Sequence, residues 1–493
     1  MPDQPSPPME STERGVILRA SNGDVIGYDE TGLILRLSDR VVADLAERLR
    51  LSVTAASDKA APAQPLPDDL DAWNIRQEGE WICFDANLPG AQGPRGFRRH
   101  VAGGAVIAQA RGPLLGILGI GGARAALANP GAGSFPWHVL APADDIGAVG
   151  HAGVELAVET AHLEPLREQT HEALLAEALL ANRRAASQAL PLYLVRAETD
   201  SAARAADLGH GRAVENLERA AANLIAAGTT LGTGARLLAV TLDYCLEDIS
   251  GDATAYRDGI IALMARLTDQ MNALGQPAPR FLATFDCGTH EITDGAALDG
   301  QWELSWNHAD HALTYVAPGY MFALDDTGRL TEAGRRTKAA MGAAALTELE
   351  GGQGWFCPTI QLAERAGKDI RLTCKAMDKL VIDKADPFDA GKAAGFRLDG
   401  VTNGARITGI AIDPDDSRTL VLSLSLIHIW PGSWRRPAAC GSPPDKTRFC
   451  PKGWGRTPRS AVGAARTAAQ RFTRPSPTPA TAFFRPMVRA QAW

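Results

Sequence analysis

An unbroken apolar run that ends on paired glycines constrains this chain more than any other feature. Residues 114–121 read Leu-Leu-Gly-Ile-Leu-Gly-Ile-Gly and pass through Gly122 into Ala123 and Arg124. Such a run has no polar face, so both its faces need burial, which is the condition of a central strand in a parallel sheet. The glycines suit a tight turn at the carboxyl edge of that sheet. Four more short apolar runs follow, at 192–196, 237–242, 281–285 and 313–317. Helical patterns lie between and after them, at 163–188, 211–228, 253–274 and 331–349. In the third of these, Tyr256, Ile260, Leu263, Met264 and Leu267 recur at three- and four-residue spacing, an amphipathic stripe. Strands alternating with helices of this length imply crossover connections and a parallel sheet covered on both faces. The expected core is a three-layer α/β domain with five parallel strands in flavodoxin-like order, and any site lies where those strands end.

The flanks read differently. Residues 1–14 are rich in Pro and charge and read as disordered. Asn22-Gly23 between apolar runs signals a hairpin, residues 33–37 a further strand, and 41–51 a short amphipathic helix. Residues 54–71, rich in Ala, Pro and Asp, read as a linker. After about 350 the period changes to two, in short runs with polar turns, as in a small antiparallel β-sandwich. The expected division is a β-rich appendage and linker at 1–79, the α/β domain at 80–350, the sandwich at 351–425, and a tail at 426–493. The tail has no hydrophobic periodicity. It reads either as a basic disordered extension or, the preferred reading, as out-of-frame or junction sequence, and it is excluded from fold reasoning. An uninterrupted, independently recovered reading frame through Trp493 would overturn the preferred reading.

Charge narrows the function. The net charge of −7 conceals a contrast: from Pro431 onward there are 12 Lys+Arg and one acidic residue, leaving 38 Lys+Arg against 56 Asp+Glu in the rest. An acidic body argues against nucleic acid as partner, because phosphate attraction needs a basic face. Seven cysteines stand scattered with no Cys-x-x-Cys pair, so neither a disulfide framework nor a zinc site is indicated. The longest apolar run is too short to span a bilayer, so no membrane is expected, and residues 1–8 lack the features of a signal peptide. The expected location is therefore cytoplasmic, with release in a particle left open.

Polar residues gather after each expected strand. Arg124 follows the first, Asp200 and Ser201 the second, Asp243, Glu247 and Asp248 the third, and Asp286 and His290 the fourth. After the fifth comes Leu324-Asp-Asp-Thr-Gly-Arg-Leu-Thr331, in which Asp326 or Thr331 also suits the N-cap of the last helix. Each residue serves equally well as a cap or turn residue; their convergence on one sheet edge is what points to a crevice.

This order of strand ends resembles the SGNH hydrolase superfamily. More narrowly, it is similar to sialate O-acetylesterase-like carbohydrate esterases, some of which occur in phage and prophage proteins. The stretches that carry the resemblance are residues 191–211, 237–267 and 320–346. It implies an acetylated glycan as partner, no cofactor and no metal, and a trailing sandwich. It also implies a Ser after the first strand and a His three residues beyond the last Asp. Here the departures decide: Ala123 stands at the nucleophile position and Arg329 at that of the base. An alanine cannot attack, and a guanidinium cannot accept a proton at ordinary pH.

Three readings follow. The first is a glycan-binding protein of esterase-like fold with little or no activity, serving as a phage-related attachment module, with Arg124, Asp200, Ser201, Glu247, Asp248, His290 and Arg329 lining the crevice. The second is an active O-acetyl esterase with displaced groups, for which Ser201, His290 and Asp326 are the catalytic candidates. The third is a purely structural protein of a homo-oligomer or particle. His308-x-x-His311 with Asp310 has metal-ligand spacing but no third ligand, and Cys245 and Cys287 read as small buried residues.

Overall fold

The computed structural model describes residues 70–425 apart from 92, 245, 287–294, 308–311, 327–328 and most of 383–403. It adds Leu66 and, by backbone alone, the strands Gly15–Arg19, Val25–Asp29, Gly32–Arg36 and Ala490–Gln491.

Around the apolar run is built a seven-stranded sheet. Its strands in chain order are β1 (Leu114–Gly121), β2 (Val139–Pro142), β3 (Leu163–Pro165), β4 (Tyr193–Thr199), β5 (Ala235–Asp243), β6 (Arg280–Phe285) and β7 (Leu313–Pro318). They lie side by side as β3-β2-β4-β1-β5-β6-β7. All neighbours are parallel except β3, which runs antiparallel to β2. The five strands expected from the apolar runs are β1, β4, β5, β6 and β7, and among themselves they take the flavodoxin-like order 2-1-3-4-5. β2 and β3 extend the sheet beyond β4 and were not legible. They are four and three residues long and each ends on proline, too short for any period to show.

Every residue of β1 and of β4 is buried, as strands with neighbours on both sides and helices over their faces require. Gly116 lets helix α2 (Arg212–Thr230) approach closely: a Cβ there would strike the Leu224 side chain. Helix α1 (His171–Ala185) packs on α5 (Glu332–Glu350), and α3 (Ala253–Ala273) on α4 (Ala296–Asn307). Side chains fix where helices begin. Thr331 accepts a hydrogen bond from Gly334 N at 3.0 Å, so Thr331 rather than Asp326 caps α5. Thr170 caps α1, which therefore starts later than its expected 163; Leu163–Pro165 and Glu168–Gln169 are extended instead.

Antiparallel sheets flank this core. Ala72–Glu78, Trp81–Ala86, Arg95–His100 and Ile107–Ala108 form one, with Phe84 and Phe97 stacked at 6.0 Å inside it. The sequence reading did not anticipate this sheet, and its division at 79/80 falls in the turn of the first hairpin, where Gly79 has φ +60°. In the C-terminal region, where a β-sandwich was expected, the described residues form a single four-stranded antiparallel sheet, ordered Thr359–Ala366, Asp369–Lys375, Thr419–Leu424, Ile407–Ile412, and a short parallel pair, Leu398–Asp399 with Ala490–Gln491. The four-stranded sheet buries Ile370, Leu372, Leu420 and Leu422 together with Leu380 and Phe396. Near the N-terminus Gly15–Arg19, Val25–Asp29 and Gly32–Arg36 make the expected hairpin and third strand. The expectations for residues 1–14, 41–51 and 426–489, and for nearly all of the linker at 54–71, lie outside the described residues. Among the described residues no helix is long and apolar enough to cross a membrane.

Candidate functional site

The three central strands end flush. Gly121 pairs with Thr199 on one side and Asp243 on the other. Gly122 then donates its N–H to the Asp243 carbonyl at 3.1 Å, and a single turn of 3-10 helix, Ala123–Ala126, follows. The glycine pair is required by close approach and not by backbone angle. A Cβ on Gly121 would strike the Asp243 carbonyl, and one on Gly122 the Glu247 carboxylate. Glu247 occupies that space because its Oε1 accepts the Ala123 N–H at 2.9 Å.

Above this edge opens a cleft of about 260 Å³. Ala123, Arg124 and Leu127 line it from the turn after β1, Asp243 from the end of β5, and Thr284 and Asp286 from the end of β6. Phe322, Arg329, Arg335 and Lys338 line it from the segment after β7 and from α5, and His171 and Glu172 from the start of α1. An ionic network crosses its floor. Arg124 Nη2 meets Asp243 at 2.6 Å while its Nη1 meets Asp286 at 2.7 Å. Lys338 Nζ reaches the second Asp243 oxygen at 2.8 Å. Asp286 also accepts from Gln301 Nε2 at 2.7 Å. Arg335 is held by the Asn129 side chain and by the Leu330 carbonyl.

Environment sets the charge of each acid and base here. Burial works to raise Asp243, but the Arg124 and Lys338 charges outweigh it and hold this carboxyl far below the usual carboxylate range. Burial, reinforced by Lys338 and only partly offset by Asp243, pushes the His171 imidazole down to about 3, so it is neutral at ordinary pH. Glu172 moves the other way. Burial raises it, against the Thr241 and Thr170 hydroxyls and the Lys338 charge, which favour its ionised form.

Of the residues expected to line one crevice, Arg124 and Arg329 do line it, beside Ala123. Glu247 lies one hydrogen bond behind, on the Ala123 amide. Asp248 points elsewhere: it is buried and accepts the Ala205 N–H at 2.6 Å. Asp200 caps the turn that follows it, accepting from Ala202 N and Ala203 N, and Ser201 in that turn is exposed. Neither is among the described residues around the cleft. Asp326 is exposed and is not among them either. His290, the His308, Asp310 and His311 set, Cys245 and Cys287 lie outside the described residues.

Sequence reasoning passed over His171, Glu172, Arg335 and Lys338. It searched only after strands, whereas these four enter from the first turn of α1 and the first two turns of α5, helices that pack together. The signals were present: Thr170-His-Glu at a cap, and Arg335 and Lys338 three apart in an otherwise Ala-rich helix.

The fold and cleft define an α/β protein with a charged polar crevice at the carboxyl edge of a parallel sheet. No family model matches the chain, and no curated protein matches it. Among solved structures it is similar to a carbohydrate acetylesterase from Xanthomonas citri, at 13% identity over 71% of this chain and 88% of that one, with a TM-score of 0.42. It is also similar to a carbohydrate acetylesterase from Sinorhizobium meliloti, at 15% identity over 48% of this chain and 98% of that one, with a TM-score of 0.28. At this level of likeness neither defines what the chain does.

Proposed function

We propose that the chain binds a polar saccharide in this cleft, on a carbohydrate-esterase-like scaffold, and hydrolyses acetyl esters little or not at all. The observation that carries this reading is Ala123, in the turn after β1. Ala123 lines the cleft where the resemblance calls for a serine, and it has no group with which to attack a carbonyl. Its amide is already bonded to Glu247, so it is not free to stabilise an oxyanion. Arg329, at the base position, offers donors but accepts no proton. Thr284 is the one hydroxyl-bearing residue among the described residues that line the cleft, and no serine or cysteine is among them. What remains is a set of fixed cations, carboxylates and one apolar wall, suited to hydroxyl groups and the ring face of a sugar.

The test restores chemistry. The double variant Ala123→Ser with Arg329→His is expected to raise short-chain acetyl-ester hydrolysis above that of the parent, and the parent is expected to retain an acetylated polysaccharide in a pull-down. Clear hydrolysis by the parent, lost in Ser201→Ala, would overturn the reading in favour of an active esterase with displaced groups. A purely structural role predicts no retention of any saccharide.

A further inference from the structure

We infer that residues 154–158 are a self-association surface, on which two copies of the chain pair antiparallel about a two-fold axis at Leu156. Val154, Leu156 and Val158 are 78%, 47% and 58% exposed. Single apolar residues at a surface need no explanation, but three in alternation on one short segment form a patch. The backbone fixes which way they point, because α2 holds it. Asn216 accepts from the Ala157 N–H and donates to the Glu155 carbonyl; Asn223 accepts from the Thr160 N–H and donates to the Val158 carbonyl. Ala157, between the apolar residues, is buried.

The backbone is the second, independent observation. Among the described residues neither the N–H nor the carbonyl of Leu156 has a hydrogen-bond partner, and the same holds for the Val158 N–H and the Val154 carbonyl. Open groups of this kind are a template for another chain. An antiparallel copy that sets Leu156 opposite Leu156 satisfies all of them. The Leu156 N–H donates to the second copy's Leu156 carbonyl and the Val158 N–H to its Val154 carbonyl, and the two-fold axis repeats both bonds.

Charge selects the register and the partner. The segment reads Gly153-Val-Glu-Leu-Ala-Val-Glu159. Centred on Leu156, the pairing sets Val154 opposite Val158, Glu155 opposite Ala157 and Glu159 opposite Gly153, so no two carboxylates meet. A two-residue slip sets Glu155 against Glu159 or against itself, and a parallel in-register pair sets each glutamate beside its twin; like charges directly opposite are destabilising. A one-residue slip sets the apolar side chains against the other face. Within its own copy Glu159 is already paired with Arg219, and Glu155 lies 4.0 Å from the His151 imidazole. One sequence thus supplies both halves of a matched pair, which makes a second copy the occupant. The pairing draws on neither the cleft nor its ligand, so it stands or falls apart from the saccharide reading.

The experiment is sedimentation velocity of the full chain from about 1 μM to about 500 μM, the span a small interface calls for. A reversible monomer–dimer equilibrium is expected. Leu156→Glu removes two leucines and adds two like charges at the axis, and is expected to weaken association by about a hundredfold or more with circular dichroism unchanged. Cross-linking reads the register. A short bis-thiol reagent is expected to join Leu156→Cys to its counterpart well beyond the parent's background. Val154→Cys alone, whose two copies lie roughly 13 Å apart in this register, is expected to link only when Val158→Cys is also present. Because a variant can misfold, the native protein supplies its own check: amide exchange at Leu156 and Val158 is expected to be fast in the dilute monomer and to slow as the dimer forms. A chain that stays monomeric throughout, a dimer that survives Leu156→Glu, or Val154→Cys linking alone as well as Leu156→Cys overturns the inference. Slow exchange at Leu156 in the dilute monomer overturns it too, and assigns the surface to another segment of the same chain.

Discussion

Arg124 engages Asp243 with one nitrogen and Asp286 with another, and so joins the ends of two strands under the cleft. Removing a partner from such a network leaves carboxylates in a desolvated place. Arg124→Ala is therefore expected to destabilise the fold by about 3 kcal/mol, the low end for buried pairs because Arg124 is 23% exposed. Urea denaturation reads this directly, and an unchanged midpoint would show that the network adds nothing. Gly119→Ala tests the neighbouring space. The added methyl must displace the Glu172 carboxyl or the Thr241 hydroxyl, at a cost of about 1–3 kcal/mol by the same measurement. At this scale the sequence was half legible. Arg124 and Asp243 follow strands and could be found by looking there. Glu172 could not, since nothing local marks a first-turn glutamate as buried, and only the glycine opposite it on β1 makes its position possible.

One element holds its neighbour by an unusual route. The buried side chains of Asn216 and Asn223, seven residues apart on α2 and so on one face, hydrogen-bond the backbone of segment 155–160, which belongs to no strand. Asn216 accepts from Ala157 N at 2.8 Å and donates to the Glu155 carbonyl at 2.7 Å. Asn223 accepts from Thr160 N at 3.1 Å and donates to the Val158 carbonyl at 3.0 Å. Asn216→Ala is expected to cost about 1–3 kcal/mol and to speed amide exchange at Ala157, while amides in β1 keep their protection. Uniform acceleration across both would mean that the segment does not open by itself. The helices themselves were readable, because an apolar stripe repeats over enough turns to exceed chance. Segment 155–160 was not: its apolar residues Leu156 and Val158, like Val154 just before it, are exposed, so their alternation marks no buried face. The sheet at 72–108 escaped for a related reason, since the exposed Trp73 and Ile75 obscure which side of its first strand is inside.

Across the whole molecule, two largely buried carboxyls give stability a contribution that falls as pH rises, opposed by the His171 imidazole, whose lowered pKa gives one that rises up to its unfolded value. Burial raises both Glu198 and Glu164 to about 7, opposed chiefly by Arg196 at the first and Arg167 at the second. A carboxyl whose folded pKa exceeds its unfolded value stabilises the fold in its neutral form. That contribution is fully present below the unfolded value of about 4.5 and is lost as pH rises through about 7. For Glu198, which is fully buried, the difference is on the order of 3 kcal/mol. Between those pH values Glu198→Gln is expected to gain stability relative to the parent as pH rises, read by denaturation midpoints; a difference between the two that does not change with pH contradicts this account. The order of strands has a further consequence, in time. β1 pairs with β4 and β5, whose residues lie roughly 80 and 120 positions further along the chain. At synthesis rates of about 5–20 residues per second, its first partner emerges roughly 4–16 seconds after it, and its second several seconds later still. The antiparallel sheet at 72–108 pairs only near neighbours and is complete by then. Until β4 arrives, eight consecutive buried-type residues with both edges open wait on a growing chain. The segment that organises the finished molecule is thus the one most exposed to wrong partners while the molecule is being made.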